Sequence, residues 1–130
     1  RFRRGGRFGA AGLRRIVCKI YGNKIKEETV LNSKLKNDST DYLFKAILSL
    51  ENEEDCYRFF EDLCTSAELK AMSQRLVVAK MLTEKKVYTE IVKETGASTA
   101  TISRVKRALF DNDTYGYTLV LDRIKNGEKE

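Results

Sequence analysis

The chain has no proline, and from Asp38 onward its apolar side chains recur at the three- and four-residue spacing of a helix. Proline is the residue that most strongly interrupts helices, so its absence lets amphipathic helices follow one another through short turns. Helical patterns cover residues 38–52, 52–64, 65–86 and 88–107, and turn formers from residue 111 lead into a closing helix. The sequence therefore predicts an all-α fold.

Several predicted helices begin with recognisable caps. Ser39 or Thr40 is the expected N-cap of the first helix, because a hydroxyl there accepts a hydrogen bond from a free main-chain N–H. The second helix concentrates acidic residues in its first turn, where the helix dipole favours negative charge. Thr65 followed by Glu68 predicts a capping box at the start of the long third helix.

The long helix is apolar around much of its circumference, along two adjacent lines. One line contains Leu69, Met72, Leu76 and Ala79, and the other contains Val78, Met81 and Leu82. A helix that is apolar over such a width must be covered on two sides. The short helical region can hardly supply both covers, so we predict that a second copy supplies one and that the protein is a homodimer.

The N-terminal segment differs from the rest of the chain in charge. Residues 1–36 hold 11 Lys/Arg and 2 Glu, whereas the remaining residues hold 14 Lys/Arg and 17 Asp/Glu. We expect residues 1–37 to form a basic, disordered arm ahead of a helical domain over residues 38–130, because the segment has no sustained apolar period. The arm fits a nucleic-acid-binding tail, a targeting sequence, or a segment that is not native to the protein.

Several function classes lack the residues they need. The chain has no histidine, which removes the commonest general base and metal ligand. Its three cysteines, Cys18, Cys56 and Cys64, form no CxxC pair and are expected to be reduced thiols. No apolar run is long enough for a membrane span. We therefore expect a cytoplasmic protein that is not an enzyme and that binds neither a metal nor a membrane.

Residues 88–107, "YTEIVKETGASTATISRVKR", have the pattern of two short helices joined by a tight turn. Gly96 is the residue that can adopt a positive φ at the turn without steric cost. The faces predicted to pack against each other are Ile91, Val92 and Thr95 before the glycine, and Ala97, Ile102 and Val105 after it. This spacing is typical of a helix-turn-helix.

The second helix of the pair presents small, hydroxyl-bearing and basic side chains on its outward face, and residues 97–109 contain no acid. Its N-cap is expected at Ser98 or Thr99. Small side chains allow close approach to DNA, hydroxyls contact bases or phosphates, and arginine binds guanine or phosphate with two hydrogen bonds. The residues predicted to contact DNA are Ser98, Thr99, Ala100, Thr101, Ser103, Arg104, Lys106 and Arg107.

The alternative is a protein-interaction or ligand-sensing helical module in which contact with DNA is incidental. The acidic balance of the chain beyond residue 36 favours this alternative, because it repels DNA everywhere except at a local basic patch. The two interpretations differ in whether the helix pair or the basic arm contacts DNA.

Three stretches, "ELKAMSQRLVVAKML", "YTEIVKETGASTATISRVKRAL" and "YGYTLVLDRIK", resemble the Trp repressor superfamily in its YerC/YecD-type branch. The resemblance covers roughly residues 38–126 and implies a six-helix, all-α chain intertwined with a second copy as a homodimer. It also implies a bacterial, nucleoid-associated transcriptional regulator, most simply a repressor, that reads a pseudo-palindromic operator in double-stranded DNA with the helix that begins near Ser98.

The resemblance also implies a corepressor site. The Trp repressor holds tryptophan between two arginines, which Arg75 and Arg104 match here, so these two residues mark a possible effector pocket. Val105 stands where the repressor has a glycine that makes room for the indole ring. We therefore expect no cofactor, and in particular no response to tryptophan.

Overall fold

A computed structural model describes residues 33–128 of the chain. Within that range the backbone forms six helices and no strand. They are α1 (Asp38–Ile47), α2 (Glu53–Leu63), α3 (Ser66–Thr83), α4 (Tyr88–Thr95), α5 (Thr99–Phe110) and α6 (Gly116–Gly127). The all-α prediction is confirmed, whereas residues 1–32 of the arm predicted over residues 1–37, with Cys18 among them, lie outside the described residues.

The described part of the chain divides into two units, with the boundary between Leu50 and Glu51. Helix α1 belongs to the first unit and begins after a turn at residues 33–37. Its N-cap is Asn37, whose side-chain oxygen accepts a hydrogen bond from the Thr40 N–H at 2.9 Å. The predicted caps Ser39 and Thr40 are wrong, because the asparagine lies three residues before Thr40 and already satisfies that N–H.

The second unit contains α2 to α6, and its helix starts agree well with the sequence. Asn52 caps α2, and Glu53, Glu54 and Asp55 occupy the first turn as predicted. The Thr65–Glu68 capping box is present at the start of α3: the Thr65 N–H donates to Glu68 Oε2 at 2.8 Å, and the Glu68 N–H donates to Thr65 Oγ1 at 3.2 Å. The Thr65 N–H and the Thr65 hydroxyl both donate to the Glu68 carboxylate, and these two hydrogen bonds hold the pKa of Glu68 below its usual value.

Helix α3 ends in a Schellman motif built on a lysine. Lys85 has a φ of 61°, its N–H donates to the Leu82 oxygen, and the Lys86 N–H donates to the Met81 oxygen. Glycine is the usual residue at this position, because a side chain is strained at positive φ. The end of α3 therefore carries a local conformational cost.

The core of the second unit lies among α3, α4, α5 and α6, which pack against one another. The buried residues are Val78, Ala79, Met81, Leu82, Ile91, Ala97, Ile102, Val105 and Leu109. Tyr117 and Leu121 of α6 pack against this cluster, so the predicted closing helix does cover the core. Helix α2 contributes no buried residue.

The apolar surface of α3 is covered along only part of its length. The line formed by Val78, Met81 and Leu82 is buried, together with Ala79. Met72 and Leu76, which precede these buried residues in the helix, are each 37% exposed. One chain therefore leaves part of the apolar surface of α3 uncovered, as expected from the width of that surface. The intertwined homodimer itself stays a prediction.

Candidate nucleic-acid interface

Helices α4 and α5 are joined by a three-residue turn at Gly96, Ala97 and Ser98. Gly96 has a φ of 67°, and its N–H donates to the Val92 oxygen to close α4. A Cβ added at Gly96 would meet no atom within 4 Å. The glycine is therefore required by the backbone conformation of the turn and not by lack of space, as the sequence predicted.

The turn is fixed by hydrogen bonds that converge on Thr95. The Thr95 hydroxyl donates to the Ile91 oxygen at 2.6 Å and accepts from the Ala97 N–H at 3.1 Å. From α3, the side-chain amide of Gln74 donates to the Thr95 main-chain oxygen at 3.0 Å. This last bond joins the long helix directly to the turn and satisfies a carbonyl that the end of α4 leaves unpaired.

The inner faces of α4 and α5 are buried nearly as predicted. Ile91, Ala97, Ile102 and Val105 are all at most 2% exposed. Val92 is 39% exposed, so its assignment to the inner face was wrong. Each helical residue turns by about 100°, and this rotation carries Val92 away from the line through Ile91 and Thr95.

The outward face of α5 consists of Ala100, Ser103, Arg104 and Arg107, which share one side of the helix because they stand at positions i, i+3, i+4 and i+7. All four are exposed, on the side of the helix opposite Ile102, Val105 and Leu109. Neither guanidinium group forms an ion pair or a hydrogen bond with any residue of the described range. Thr99, also exposed, lies one turn before Ser103. The face thus presents two unpaired guanidinium groups among short side chains.

Ser98 and Thr101 stabilise the start of α5. Ser98 is the N-cap: its hydroxyl accepts from the Thr101 N–H at 3.1 Å, and the two hydroxyl oxygens lie 3.0 Å apart. Thr101 is half-buried, the one predicted DNA-contacting residue that is not exposed. The hydroxyls of Ser98 and Thr101 are therefore engaged in hydrogen bonding within the helix. The free N–H groups at the start of α5 and the positive end of its dipole remain suited to binding an anion.

Lys106 lies at the edge of the outward face of α5. Its ammonium group is 5.8 Å from the centre of the Tyr88 ring, at the start of α4. A lysine at this distance over an aromatic ring makes a cation–π contact. Lys106 thus links α4 to α5 while its charge stays at the surface.

The two residues of the predicted effector pocket differ in environment. Arg75 is half-buried on α3, one to two turns before the buried residues Val78, Ala79 and Leu82, whereas Arg104 is exposed on α5. The Arg75 guanidinium group has no hydrogen bond or ion pair within residues 33–128. Its neighbour Gln74, which the sequence did not single out, is the residue that reaches the turn.

Residues 33–128 contain no cluster of histidine, cysteine, aspartate or glutamate side chains that could hold a metal ion. None of the helices there is long and apolar enough to cross a membrane.

A glycine-centred pair of short helices, with its inner face in the core and an acid-free basic face outward, defines a helix-turn-helix protein. The model of the Trp repressor protein family matches residues 38–125. The chain belongs to the Trp repressor family, whose members are helix-turn-helix, DNA-binding regulators.

Similar proteins match this chain over most of their own lengths. The chain is 55% identical over 98 residues to the uncharacterized protein YerC of Bacillus subtilis (strain 168), covering 75% of this chain and 92% of that protein. A crystal structure of a candidate Trp repressor from Staphylococcus aureus has a TM-score of 0.66 at 56% identity, covering 71% of this chain and 91% of that one.

A TrpR-like protein from Eubacterium eligens ATCC 27750 has a TM-score of 0.68 at 50% identity. The similarity covers 72% of this chain and 96% of that one. The YerC-type, Trp-repressor-related character expected from the sequence is therefore confirmed, and so is the Trp-repressor-like fold.

Proposed function

We propose that the chain is a transcriptional regulator, most simply a repressor, that binds a specific sequence in double-stranded DNA as a homodimer through α4 and α5. The observation that supports this most directly is the outward face of α5, where Arg104 and Arg107 are exposed and have no acidic partner among the described residues. A regulator with this role acts on the nucleoid in the bacterial cytoplasm, and the proposal includes no catalytic step and no metal.

The charge distribution limits how the domain binds DNA. Residues 37–130 hold more acidic than basic residues, so the domain as a whole does not attract a polyanion. The basic residues of α5 are therefore the proposed contact. In the major groove, Arg104 and Arg107 contact base edges or phosphates, and the short side chains of Ala100 and Ser103 let the helix approach closely.

The other predicted contacts have supporting roles. Lys106, at the edge of the face, reaches a phosphate, and Thr99 contacts a phosphate or a base edge beside Ser103. The capped start of α5 at Ser98 and Thr101 presents main-chain N–H groups to a phosphate. These contacts fix the register of α5 on the duplex, and the arginines supply most of the sequence readout.

The homodimer is supported by apolar surface that one chain leaves uncovered. Large apolar side chains at least one third exposed occur in α1, α2, α3 and α6, and they include Phe44, Tyr57, Leu63, Met72, Leu76, Val77, Val120 and Ile124. Isolated apolar residues are common on surfaces, but a set of this size is typical of an interface. Two copies related by a twofold axis read half-sites roughly 34 Å apart, one turn of DNA.

Selection from a random double-stranded DNA library, with the purified full chain, tests the proposal. We expect an enriched pseudo-palindromic motif and an affinity that falls steeply with added salt, because phosphate contacts release counterions. The Arg104→Ala/Arg107→Ala double variant should recover no motif, whereas Lys125→Ala, which removes a charge from α6, should recover the same motif. A library without any enriched motif after repeated rounds would contradict the proposal.

The second candidate is the protein-interaction or ligand-sensing module, and the acidic balance of residues 37–130 favours it. A chain without residues 1–36 separates the two candidates, because every residue of the buried core lies between Val78 and Leu109. If binding to DNA persists in the shortened chain and is lost in its Arg104→Ala/Arg107→Ala form, the helix pair contacts DNA. If removal of residues 1–36 abolishes all binding to DNA, the second candidate is favoured.

A further inference from the structure

The Trp repressor family uses tryptophan as a corepressor, so the space beside α5 decides whether this chain can do the same. Val105, at the position where the resemblance implies a glycine, is 1% exposed and is among the largest fully buried side chains. It lies in the same cluster as Val78, Ala79 and Ile102. Protein cores are close-packed, so a side chain enclosed in this way leaves no room for an indole ring. The residues present do not fit tryptophan.

The turn is already fixed without a ligand. Gln74 donates from α3 to the Thr95 oxygen at 3.0 Å, across 21 residues of sequence and in a partly buried setting. Helix α3 also packs directly against both α4 and α5. The position of the helix-turn-helix relative to the long helix is therefore set by the protein's own side chains, through apolar packing at Val105 and a hydrogen bond at Gln74.

A corepressor acts by binding one arrangement of a protein more tightly than another. A ligand that finds no cavity in the DNA-binding arrangement cannot stabilise that arrangement, so it cannot act as a corepressor. We propose that Val105 and Gln74 together replace the corepressor, so that the chain binds its DNA without tryptophan and does not respond to it. The part of this inference that concerns DNA rests on the proposed function, whereas the filled space at Val105 does not.

The first experiment is a calorimetric titration of the full wild-type chain with L-tryptophan, together with its Tm in millimolar L-tryptophan. We expect no heat of binding and no rise in Tm, because a ligand that binds only the folded state must raise the Tm. A saturable heat of binding with a rise in Tm would overturn the inference, whatever the chain does with DNA.

The second experiment opens the space that Val105 fills. Val105→Gly removes the whole side chain from the cluster, and apolar cavities in protein cores take up apolar ligands of matching size. We expect added indole to raise the Tm of Val105→Gly but not that of the wild-type chain. Val92→Gly is the matched control, because it makes the same change at an exposed position of the neighbouring helix. A wild-type chain that indole stabilises as much as it stabilises Val105→Gly would contradict the filled space; if this variant does not fold, the wild-type titration decides.

The third experiment measures affinity for the selected DNA motif with and without L-tryptophan. Allosteric coupling in proteins is typically about 5- to 150-fold, so we expect a change smaller than about 5-fold. Binding that requires tryptophan would overturn the inference. If the chain binds no DNA under either condition, the proposed function fails, while the titration and the indole measurement still decide whether Val105 fills the site.

Discussion

The side-chain amide of Gln74 and the main-chain oxygen of Thr95 form a 3.0 Å hydrogen bond that joins α3 to the turn between α4 and α5. We expect Gln74→Leu to lower the free energy of unfolding by about 1–3 kcal/mol, because it leaves a partly buried carbonyl without its partner. Chemical denaturation monitored by circular dichroism measures the loss.

Affinity for the selected DNA motif should fall in Gln74→Leu, because the turn loses its direct link to the long helix. Ser73→Ala is the matched control: the Ser73 hydroxyl donates to the Leu69 oxygen within the same helix at 2.8 Å, so its removal should leave DNA affinity unchanged. Equal DNA affinities of Gln74→Leu and the wild-type chain would show that the bond does not position the turn.

Gly96→Ala should destabilise the helix-turn-helix through the backbone alone. Gly96 has a φ of 67° and open space around it, so the cost is that of a left-handed alanine, about 1–2 kcal/mol. Thermal and urea unfolding measure it. Gly116→Ala is the control, because Gly116 also has open space, lies in α6 and has no positive φ, and it should cost nothing. Similar losses in both variants would contradict this explanation.

Lys85→Gly should change stability in the opposite direction. Lys85 occupies the left-handed position of a Schellman motif, where its φ is 61°, and glycine relieves the strain of the side chain. We expect the free energy of unfolding to rise by roughly 1 kcal/mol. Lys86→Gly removes the same charge from the next residue, which does not have a positive φ, and it should not stabilise the chain.

The capping box at the start of α3 should give a measurable pH dependence. Hydrogen bonds from the Thr65 N–H and hydroxyl lower the pKa of Glu68 from its usual 4.5, so the folded state favours the carboxylate. Its contribution to stability is present above pH 4.5 and is lost as the pH falls through the lower folded value. An NMR titration of the Glu68 side chain should report the lowered pKa.

In Thr65→Ala the pKa of Glu68 should move back towards its usual value, because the hydroxyl donor is lost while the main-chain N–H remains. The free energy of unfolding should fall by about 1 kcal/mol, the typical effect of losing an N-cap. An unchanged Glu68 titration in Thr65→Ala would indicate that the hydroxyl contributes little to the shift.

Arg104 and Lys106 should affect DNA binding in different ways. We expect Arg104→Ala to cost about 1–3 kcal/mol against the selected motif and to relax discrimination at one base position. Lys106→Ala should weaken binding to all sequences alike and reduce the salt dependence by about one phosphate contact. Binding at several salt concentrations to the motif and to single-base variants separates the two roles, and identical profiles would contradict them.

The sequence predicted those parts of the fold that depend on neighbouring residues. The Thr65–Glu68 box and the Gly96 turn each act within a few positions, so their patterns are visible in the sequence. Lys85 was missed because a lysine gives no sign of a left-handed backbone. Gln74 was missed because its partner lies 21 residues away, and only the folded chain brings the two together.

The candidate site was predicted well in its core and less well at its edges. Ile102 and Val105 are buried as expected, because their spacing matches the helical period. Thr101 was counted as outward, but its N–H and hydroxyl both interact with the Ser98 hydroxyl. A hydroxyl near a helix start serves either the cap or a ligand, and the sequence alone does not distinguish these roles.

Helix α2 contributes no buried side chain within its own chain. In the proposed homodimer the burial of its apolar residues comes from the second copy, so part of the folding free energy is gained only on association. The midpoint of unfolding then rises with protein concentration, and the number of copies in the cell sets the fraction of chains that are fully folded. A regulator built in this way loses its DNA-binding form when it becomes scarce, without any signal molecule.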